Sequence, residues 1–253
     1  MNVTGNTILI TGGATGIGFA LAKAFVELGN EVLICGRREH RLQEAKDKIP
    51  GLHYKVCDIA DAEQREALFK WVKKDFPKLN ILVNNGAYQT DYSLTDGLEA
   101  LNGLEEEIYV ILTAPILMNA LFTGFLKEKE NAAIVNVSSG TGLCPMTRIP
   151  AYCAAKAGLH AYTLIQRKQY ENAGIDIKVF EAFPPMVITE INLEGRKKAG
   201  YANGPAGVDA DVYARSVIDD MRNDKYCIVY GEGERGWDAW KLPRTEYEGR
   251  NLK

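Results

Sequence analysis

The sequence predicts an α/β fold with a doubly wound parallel sheet of about seven strands. Short apolar runs of strand length alternate with helical patterns along the chain, near residues 7–10, 31–35, 53–56, 81–84, 132–137, 176–183 and 227–230. Such alternation implies parallel strands joined by crossover helices that cover both faces of the sheet. The length of 253 residues suits one such domain with a sizeable core.

Residues 231–253 fall outside this alternation. We therefore expect one domain over residues 1–253, with 231–253 as a C-terminal extension. The stretch from Glu232 to Lys253 is rich in Glu, Arg, Trp and Gly, and it could cap a pocket or pack on a neighbouring subunit.

The composition argues against several classes of protein. The formal net charge of −3 shows no basic excess, so nucleic acid is not an expected partner. We find no uninterrupted apolar stretch of about 18 residues and no charged-then-apolar leader, so we expect neither a membrane span nor a signal peptide, and a cytoplasmic location is the default. The five cysteines lack metal-type spacing and are expected to be reduced packing residues, with Cys144 and Cys153 near the pocket.

The first strand leads into a glycine-rich turn. The strand candidate is Thr7 to Ile10, the turn runs from Thr11 to Gly18, and a helical pattern covers Phe19 to Leu28. Glycines let a backbone turn tightly and approach a pyrophosphate, and a helix amino terminus offers free amides and a favourable dipole. A glycine cluster alone also fits an ordinary turn, but its place between a strand and a helix predicts a dinucleotide site.

The end of the second strand indicates which dinucleotide is bound. An acidic side chain there would bind the two hydroxyls of the adenosine ribose of NAD, and none is present. Gly36 leaves room, and Arg37 and Arg38 offer forked, permanently charged donors for the 2′-phosphate of NADP. Two arginines that open a helix can also be solvated charges. We expect NADP(H) to be preferred over NAD(H).

Tyr152, Lys156 and Ser139 form the strongest catalytic signal. On a helix, Tyr152 and Lys156 lie on one face, so both side chains can reach one pocket. A nearby cation lowers the pKa of a tyrosine from about 10 towards the range useful for general acid–base catalysis. Ser139 follows the apolar run 132–137, so its hydroxyl should emerge at the carboxyl end of a buried strand, where open α/β sheets bind ligands. A Tyr and a Lys at this spacing also occur by chance, so the catalytic interpretation depends on the other motifs in the chain.

In order and spacing, these motifs and the Asn84-Asn85 pair resemble the short-chain dehydrogenase/reductase family. The resemblance covers roughly residues 5 to 230, and by general similarity it is strongest to the bacterial DltE-type oxidoreductases. It implies a doubly wound Rossmann fold, a bound nicotinamide cofactor, and reversible hydride transfer between the nicotinamide and a ketone or alcohol substrate.

The resemblance also implies roles for individual residues. Ser139 would hydrogen-bond the substrate oxygen, Tyr152 would be the general acid/base, and Lys156 would lower the pKa of the tyrosine and bind the nicotinamide ribose. The implied cofactor contacts are Gly12, Ala14, Thr15, Gly16, Ile17, Gly18, Arg37, Arg38, Asp58, Ile59, Asn85, Gly86, Ala87, Tyr152, Lys156, Val187 and Thr189. Asp58 could otherwise cap a helix, and Val187 and Thr189 could belong to a plain loop. No metal site is expected.

Three positions depart from the pattern of the family. Asn85-Gly86-Ala87 stands where Asn-Ala-Gly is usual. Pro184-Pro185 replaces Pro-Gly, which removes a donor and restricts φ. Ile111 stands where relatives have an asparagine that is thought to hold a water between the lysine and solvent, and isoleucine cannot hydrogen-bond. We therefore expect an altered proton supply to Tyr152 and reduced turnover.

The segments expected to wall the substrate pocket are mostly apolar. They are Tyr88-Gln89, residues 143–146, Ile149 and residues 186–201. A medium-sized apolar ketone or alcohol fits such walls better than a phosphorylated or strongly anionic substrate.

The resemblance also implies an oligomer, and two other functions remain open. By resemblance, the stretch from Leu104 to Glu130 and the helix near Tyr152 would form the interface of a homodimer or homotetramer. A non-redox epimerase or dehydratase on the same scaffold stays open as an alternative. So does an NADP-binding sensor that has lost catalysis.

Overall fold

The sheet has the predicted seven strands. The computed structural model describes residues 1–101, 103–192 and 207–231, and all seven strands run parallel in the order β3-β2-β1-β4-β5-β6-β7. The strands are β1 Thr7–Thr11, β2 Glu31–Gly36, β3 His53–Val56, β4 Leu79–Asn84, β5 Ala133–Val137, β6 Lys178–Phe183 and β7 Cys227–Val229. The doubly wound Rossmann fold is therefore confirmed.

Helices connect these strands. They are α1 Gly16–Glu27, α2 Glu39–Lys48, α3 Ala62–Asp75, α4 Leu104–Ile108, α5 Ala114–Leu126, α6 Pro150–Asn172 and α7 Ala210–Arg222. Short 3-10 helices cover Leu94–Leu101 and Gly140–Gly142, and a π-helical segment, Tyr109–Thr113, joins α4 to α5. The expected extension beyond residue 231 and the pocket-wall residues 193–201 lie outside the described residues.

Alternating side chains of the strands build two cores, one on each face of the sheet. Along β1, Ile8 and Ile10 face the layer of α1 and α7, whereas Leu9 faces the layer of α3 and α5. All three side chains are fully buried. This is the pattern of a parallel strand covered on both faces.

One helical stretch bears on the expected absence of a membrane span. The helix Leu104–Leu126 contains an 18-residue window with a mean hydropathy of 1.8, so by length and composition alone it could cross a membrane. Charged and polar residues such as Glu105 and Asn119 interrupt the stretch, so it is not an uninterrupted apolar run, and the expected absence of a membrane span stays a prediction. In the fold this helix covers the sheet, with Ala114, Met118, Phe122 and Leu126 fully buried. Its apolar character thus serves the core.

Candidate active site

A cavity of about 830 Å³ opens at the carboxyl ends of the strands. The order of the strands reverses between β1 and β4, and open α/β sheets bind ligands at such a switch point. The predicted site residues that line it are Gly12, Ala14, Thr15, Gly16, Ile17, Arg37, Arg38, Asp58, Ile59, Asn85, Gly86, Ala87, Ser139, Tyr152, Lys156, Val187 and Thr189. Gly18 is the predicted site residue that does not line the cavity.

The glycine-rich turn has the backbone that an anion site requires. Gly12 and Gly16 have φ of 64° and 55°, in the left-handed region that favours glycine. Thr15 caps α1 with extended backbone and makes no side-chain capping bond. The first amides of α1 therefore point into the cavity mouth without a side-chain acceptor, and the helix dipole favours negative charge there. The turn fits the pyrophosphate of a dinucleotide.

Gly18 is a packing residue beneath this turn. A Cβ at Gly18 would lie 2.4 Å from the Gly12 carbonyl oxygen and 2.5 Å from Asn85 Nδ2. Asn85 Nδ2 in turn donates to the carbonyl oxygens of Thr11 and Gly12, at 3.0 and 3.2 Å. Gly18 therefore allows α1 to approach the loop after β4, and its contribution to a cofactor site is indirect.

Arg37 has protein partners at the adenosine end of the cavity. Its Nη1 lies 2.6 Å from Glu106 Oε1, and its guanidinium lies 5.7 Å from the centre of the Tyr88 ring. Both charged side chains of the pair are about half exposed. An exposed ion pair is weak, so Glu106 can be exchanged for a phosphate.

Arg41 also lines this end of the cavity, and the sequence reasoning missed it. It pairs with Glu44 at 3.1 Å and with Glu190 at 3.4 Å. Arg41 follows Arg37 by about one helical turn, which is the signal that could have identified it. The Glu190 contact links α2 to the loop after β6.

Asp58 does not cap a helix, which was the alternative to a cofactor contact. The N-cap of α3 is Asp61, whose Oδ1 accepts from the Gln64 amide at 2.9 Å. Asp58 instead accepts from the Ala60 amide and lines the cavity beside Ile59. Asn84 is a structural residue, since it is buried and donates to Asn119 and Asn136.

Ser139, Tyr152 and Lys156 meet on the cavity wall beyond β5. Ser139 caps the short helix Gly140–Gly142, and its Oγ lies 2.9 Å from Thr141 Oγ1. Tyr152 and Lys156 share one face of α6, with Lys156 Nζ 5.5 Å from the centre of the Tyr152 ring. The three groups have the arrangement of an acid, a hydrogen-bonding hydroxyl and a cation beside the acid.

Lys156 is deeply buried. Its Nζ donates to the Val137 carbonyl oxygen at 2.7 Å, and the residue is 3% exposed. Burial lowers the pKa of Lys156 to about 7, and the Glu181 carboxylate offsets part of that effect. The lysine therefore changes charge near neutral pH.

Ile111, the third departure from the family pattern, lies beside Tyr152. It sits in the π-helical segment, is 1% exposed, and belongs to an apolar cluster with Ile149, Tyr152 and Cys153. An apolar side chain therefore packs beside the tyrosine on this side of the site. No hydrogen bond can reach Lys156 through it.

The late loop brings the predicted nicotinamide contacts to the glycine-rich turn. Val187 forms a parallel bridge with Val208. A Cβ on Gly16 would lie 3.1 Å from the Thr189 methyl group, so these residues nearly touch. Pro185 lines the cavity beside them.

The substrate end carries a polar cluster that the sequence reasoning missed. Arg148 lines the cavity and pairs with Asp91 at 2.9 Å. Asn192 donates to Asp91 Oδ1 at 2.6 Å and to Gln89 Oε1 at 3.2 Å. Cys144 also lines the cavity, whereas Cys153 lies behind it against Met146. The wall is thus apolar with one charged pair at its edge.

Comparisons with known proteins place the chain in a family. The short chain dehydrogenase family model matches residues 6–200. The uncharacterized oxidoreductase DltE of Bacillus subtilis (strain 168) is 44% identical over 248 residues, 98% of this chain and 96% of that protein. A farnesol dehydrogenase of Aedes aegypti is 30% identical over 207 residues, 78% of this chain and 84% of that protein.

A solved structure shares the fold. The short chain dehydrogenase/reductase of Burkholderia phymatum, in complex with NAD, superposes with a TM-score of 0.87 at 19% identity and covers 100% of this chain and 98% of its own. The family match, the DltE likeness and the geometry of the cavity agree. The chain belongs to the short-chain dehydrogenase/reductase family and is an oxidoreductase of that family.

Proposed function

We propose that the protein is an NADP(H)-dependent carbonyl reductase and alcohol dehydrogenase that acts on CH–OH groups. The observation that carries the proposal is that Ser139, Tyr152 and Lys156 share one cavity with the glycine-rich turn and Arg37. Hydride comes from or returns to the nicotinamide of the bound cofactor.

The side chains of the chain would perform the proton chemistry. In the reducing direction, Ser139 Oγ donates to the carbonyl oxygen of the substrate and fixes its position. Tyr152 gives its phenolic proton to the same oxygen, and the charge of Lys156 stabilises the phenolate that remains. In the oxidising direction the phenolate removes the proton of the alcohol. Buried walls formed by residues such as Ile149 exclude water from this exchange.

The preference for NADP(H) rests on charge at the adenosine end. Arg37, Arg38 and Arg41 line the cavity there, and no acidic residue ends β2. Glu106 is the competing influence, since it pairs with Arg37. Because that pair is exposed, we propose that the 2′-phosphate displaces it.

The proposed substrate is a medium-sized apolar ketone or alcohol. Leu143, Met146, Ile149 and Met186 form apolar wall near Tyr152, and a relative is named for an apolar alcohol, farnesol. The Arg148–Asp91 pair at the edge of the wall would contact a polar end of the substrate.

We further propose a homodimer or homotetramer that works in the cytoplasm. Leu117 of α5 and Ile165 of α6 are exposed apolar side chains on helices of the same sheet face, which a second copy would cover. All five cysteines are free, as a reducing compartment allows. The net charge of −3 supports neither nucleic acid nor an anionic membrane surface as a partner.

Ile111 and Pro185 favour one alternative, an NADP-binding sensor without catalysis. The deciding experiment is a broad carbonyl panel followed at 340 nm with NADPH and NADH separately, next to a cofactor titration. The reductase predicts turnover that is faster with NADPH. Tight NADPH binding without turnover on the whole panel supports the sensor, and product formation at constant absorbance supports a non-redox enzyme.

The variant Tyr152→Phe tests the role of the phenol. It removes the proton donor and keeps the ring, so we expect turnover to fall by about 10²- to 10⁴-fold while NADPH binding changes little. The measurement compares kcat with the Kd of NADPH from fluorescence titration. Retained carbonyl reduction would reject Tyr152 as the acid.

A further inference from the structure

Helix α6 lays a row of polar side chains on the ends of β5 and β6. Lys156, His160 and Thr163 follow one another at helical spacing, and each is at most 3% exposed. Lys156 belongs to the proposed catalytic group. His160 has no part in the proton chemistry described so far, although it lies one turn farther along the same face.

Each member of this row has a partner on the sheet. Lys156 Nζ donates to the Val137 carbonyl oxygen at 2.7 Å, and the Thr163 hydroxyl accepts from Asn136 at 3.0 Å. His160 Nδ1 lies 2.8 Å from Glu181 Oε2. These contacts fix α6 against β5 and β6 at Lys156 and over the next two turns of the helix.

The register of the sheet places Glu181 close to the lysine. Glu181 of β6 pairs with Asn136 of β5, so both side chains project to the face that α6 covers. Asn136 immediately precedes Val137, the residue to which Lys156 is bonded. Glu181 is fully buried, so its charge acts on its neighbours with little screening.

The groups that face this pair come from every neighbouring element. Helix α6 contributes Tyr152, Lys156 and His160. Strand β7 contributes Cys227, which is in register with Glu181. The π-helical segment contributes apolar Ile111 and Leu112, and α4, which also packs on α6, carries the buried Glu107, which is not among the groups that shift the pKa of Lys156. Among the described residues, Glu181 is therefore the carboxylate that can support a positive charge on Lys156, and it does raise the pKa of that lysine against the larger effect of burial.

We propose that the buried Glu181–His160 pair is a positioning element for Lys156, in which the His160 ring N–H holds the Glu181 carboxylate and that carboxylate stabilises the ammonium form of Lys156. The catalytic meaning rests on the proposed function, because the ammonium is needed to stabilise the Tyr152 phenolate. The electrostatic claim stands without it, since it concerns the charge of Lys156 in the protein itself.

The direction of the effect follows from the signs. With the carboxylate removed, burial alone acts on Lys156, so the lysine loses its proton at a lower pH than in the wild type. An opposite charge at close range shifts a pKa by about one to three units. We expect the variant Glu181→Gln to lower the midpoint of Lys156 by at least about one unit.

The test titrates Lys156 directly in the cofactor-free protein. Lysine carries ¹³C at Cε, its NMR signal is followed against pH, and a Lys156→Met sample assigns the resonance. Glu181→Gln and His160→Phe should both lower the midpoint, since His160→Phe keeps the ring packing on Phe183 but leaves the carboxylate without its donor. His160→Gln, which restores an N–H donor, should return the midpoint towards the wild type.

Thr163→Val is the matched control. It removes a buried hydrogen bond on the same face of α6 without a change in charge, so the midpoint of Lys156 should stay in place. An unchanged midpoint in Glu181→Gln overturns the proposal, and so does an equal fall in Thr163→Val, which would indicate general loosening. If Glu181→Gln does not fold, the pair of His160 variants decides by the same criterion.

A kinetic arm separates this inference from the proposed function. In an active reductase, the alkaline limb of kcat should move to lower pH by the same shift in Glu181→Gln, with KM for NADPH unchanged. If the protein shows no turnover, the proposed function is rejected, and the NMR midpoint of Lys156 alone tests the role of the Glu181–His160 pair. A moved NMR midpoint with an unmoved kcat limb rejects the catalytic meaning of the pair.

Discussion

In the proposed NADP(H) site, Arg37 is the residue on which we expect the choice of cofactor to depend most. Its guanidinium is the charged group that the end of β2 presents, and its partner Glu106 is half exposed. In Arg37→Asp a carboxylate would repel the 2′-phosphate and accept from ribose hydroxyls. We expect the NADPH/NADH ratio of kcat/KM to fall by about 10²-fold or more, from the loss of a charge-assisted hydrogen bond and the added repulsion.

Glu106→Gln is the matched control for that prediction. It removes the competing carboxylate and keeps Arg37, so the NADPH/NADH ratio should rise or stay level. A ratio that is unchanged in Arg37→Asp contradicts the assignment of Arg37, and the phosphate contact then belongs to Arg38 or Arg41.

Glu107 makes stability depend on pH. It is fully buried in α4, and burial raises its pKa to about 7, an effect that the neighbouring Thr90 partly offsets. The unfolded chain ionises this group at a lower pH, near its usual value. As the pH rises from about 4.5 to 7, the unfolded state therefore loses its proton first, and folding stability falls over that interval.

The variant Glu107→Gln should remove this loss. Its melting temperature relative to the wild type should rise with pH between about 5 and 7.5, by an amount that corresponds to about 1–2 kcal/mol at the upper end. Calorimetry at several pH values measures it. A difference that is constant with pH would show that Glu107 titrates alike in the folded and unfolded states.

At the scale of elements, the glycine-rich turn and α1 act as one unit with the loop after β4. Gly18→Ala would place a methyl group against the backbone of Gly12, so one of the two elements must shift. We expect a loss of about 1–3 kcal/mol of stability and weaker cofactor binding, since the turn and the Asn85 contacts move together. Denaturant unfolding and a cofactor titration provide the two readouts.

Gly140→Ala is the control within the same cavity. A Cβ there meets only the Pro184 carbonyl oxygen, at 3.9 Å, which is ordinary contact. Its stability should match the wild type. Equal losses in both variants would mean that any methyl group on the cavity lining is costly and that Gly18 has no special place.

The elements themselves could be predicted from the sequence because their signals are local. Alternating apolar runs identified all seven strands, with differences of two residues at the starts of β4 and β6 and of one residue at the start of β5 and the ends of β1, β2 and β7. Helix α1 begins at Gly16, three residues before the predicted start at Phe19, so Ile17 and Gly18 already belong to its first turn, although Gly16 itself keeps a φ of 55°. The motif spacing predicted that Ser139, Tyr152 and Lys156 share one pocket, and all three line the cavity.

The contacts that were missed join residues far apart along the chain. Arg148 and Asp91 are 57 positions apart, and Arg41 and Glu190 are 149 apart. Neither pair has a local pattern, because each depends on how two loops meet above the sheet. The same holds for His160 and Glu181, whose pairing follows from the register of β5 and β6 under α6.

At the scale of the whole molecule, the proposed homodimer or homotetramer would form through the outer surface of α5 and α6. Leu117 and Ile165 are 37% and 48% exposed, and they project from the two helices that cover the active-site face of the sheet. Burying such side chains against a second copy would remove their apolar surface from water. A charged residue at either position would have to be desolvated in the interface, so Leu117→Glu and Ile165→Glu should shift the protein towards monomer.

Sedimentation velocity over a range of concentrations measures this shift. Val212→Glu is the control, because Val212 is 45% exposed on α7, the helix layer on the opposite face of the sheet, and its substitution should leave assembly unchanged. A wild-type monomer at high concentration, or equal dissociation by all three variants, would contradict the proposed interface. Because α6 also carries Tyr152 and Lys156, dissociation at this surface should lower kcat as well, since the helix that holds the catalytic pair loses the neighbour that supports its outer side.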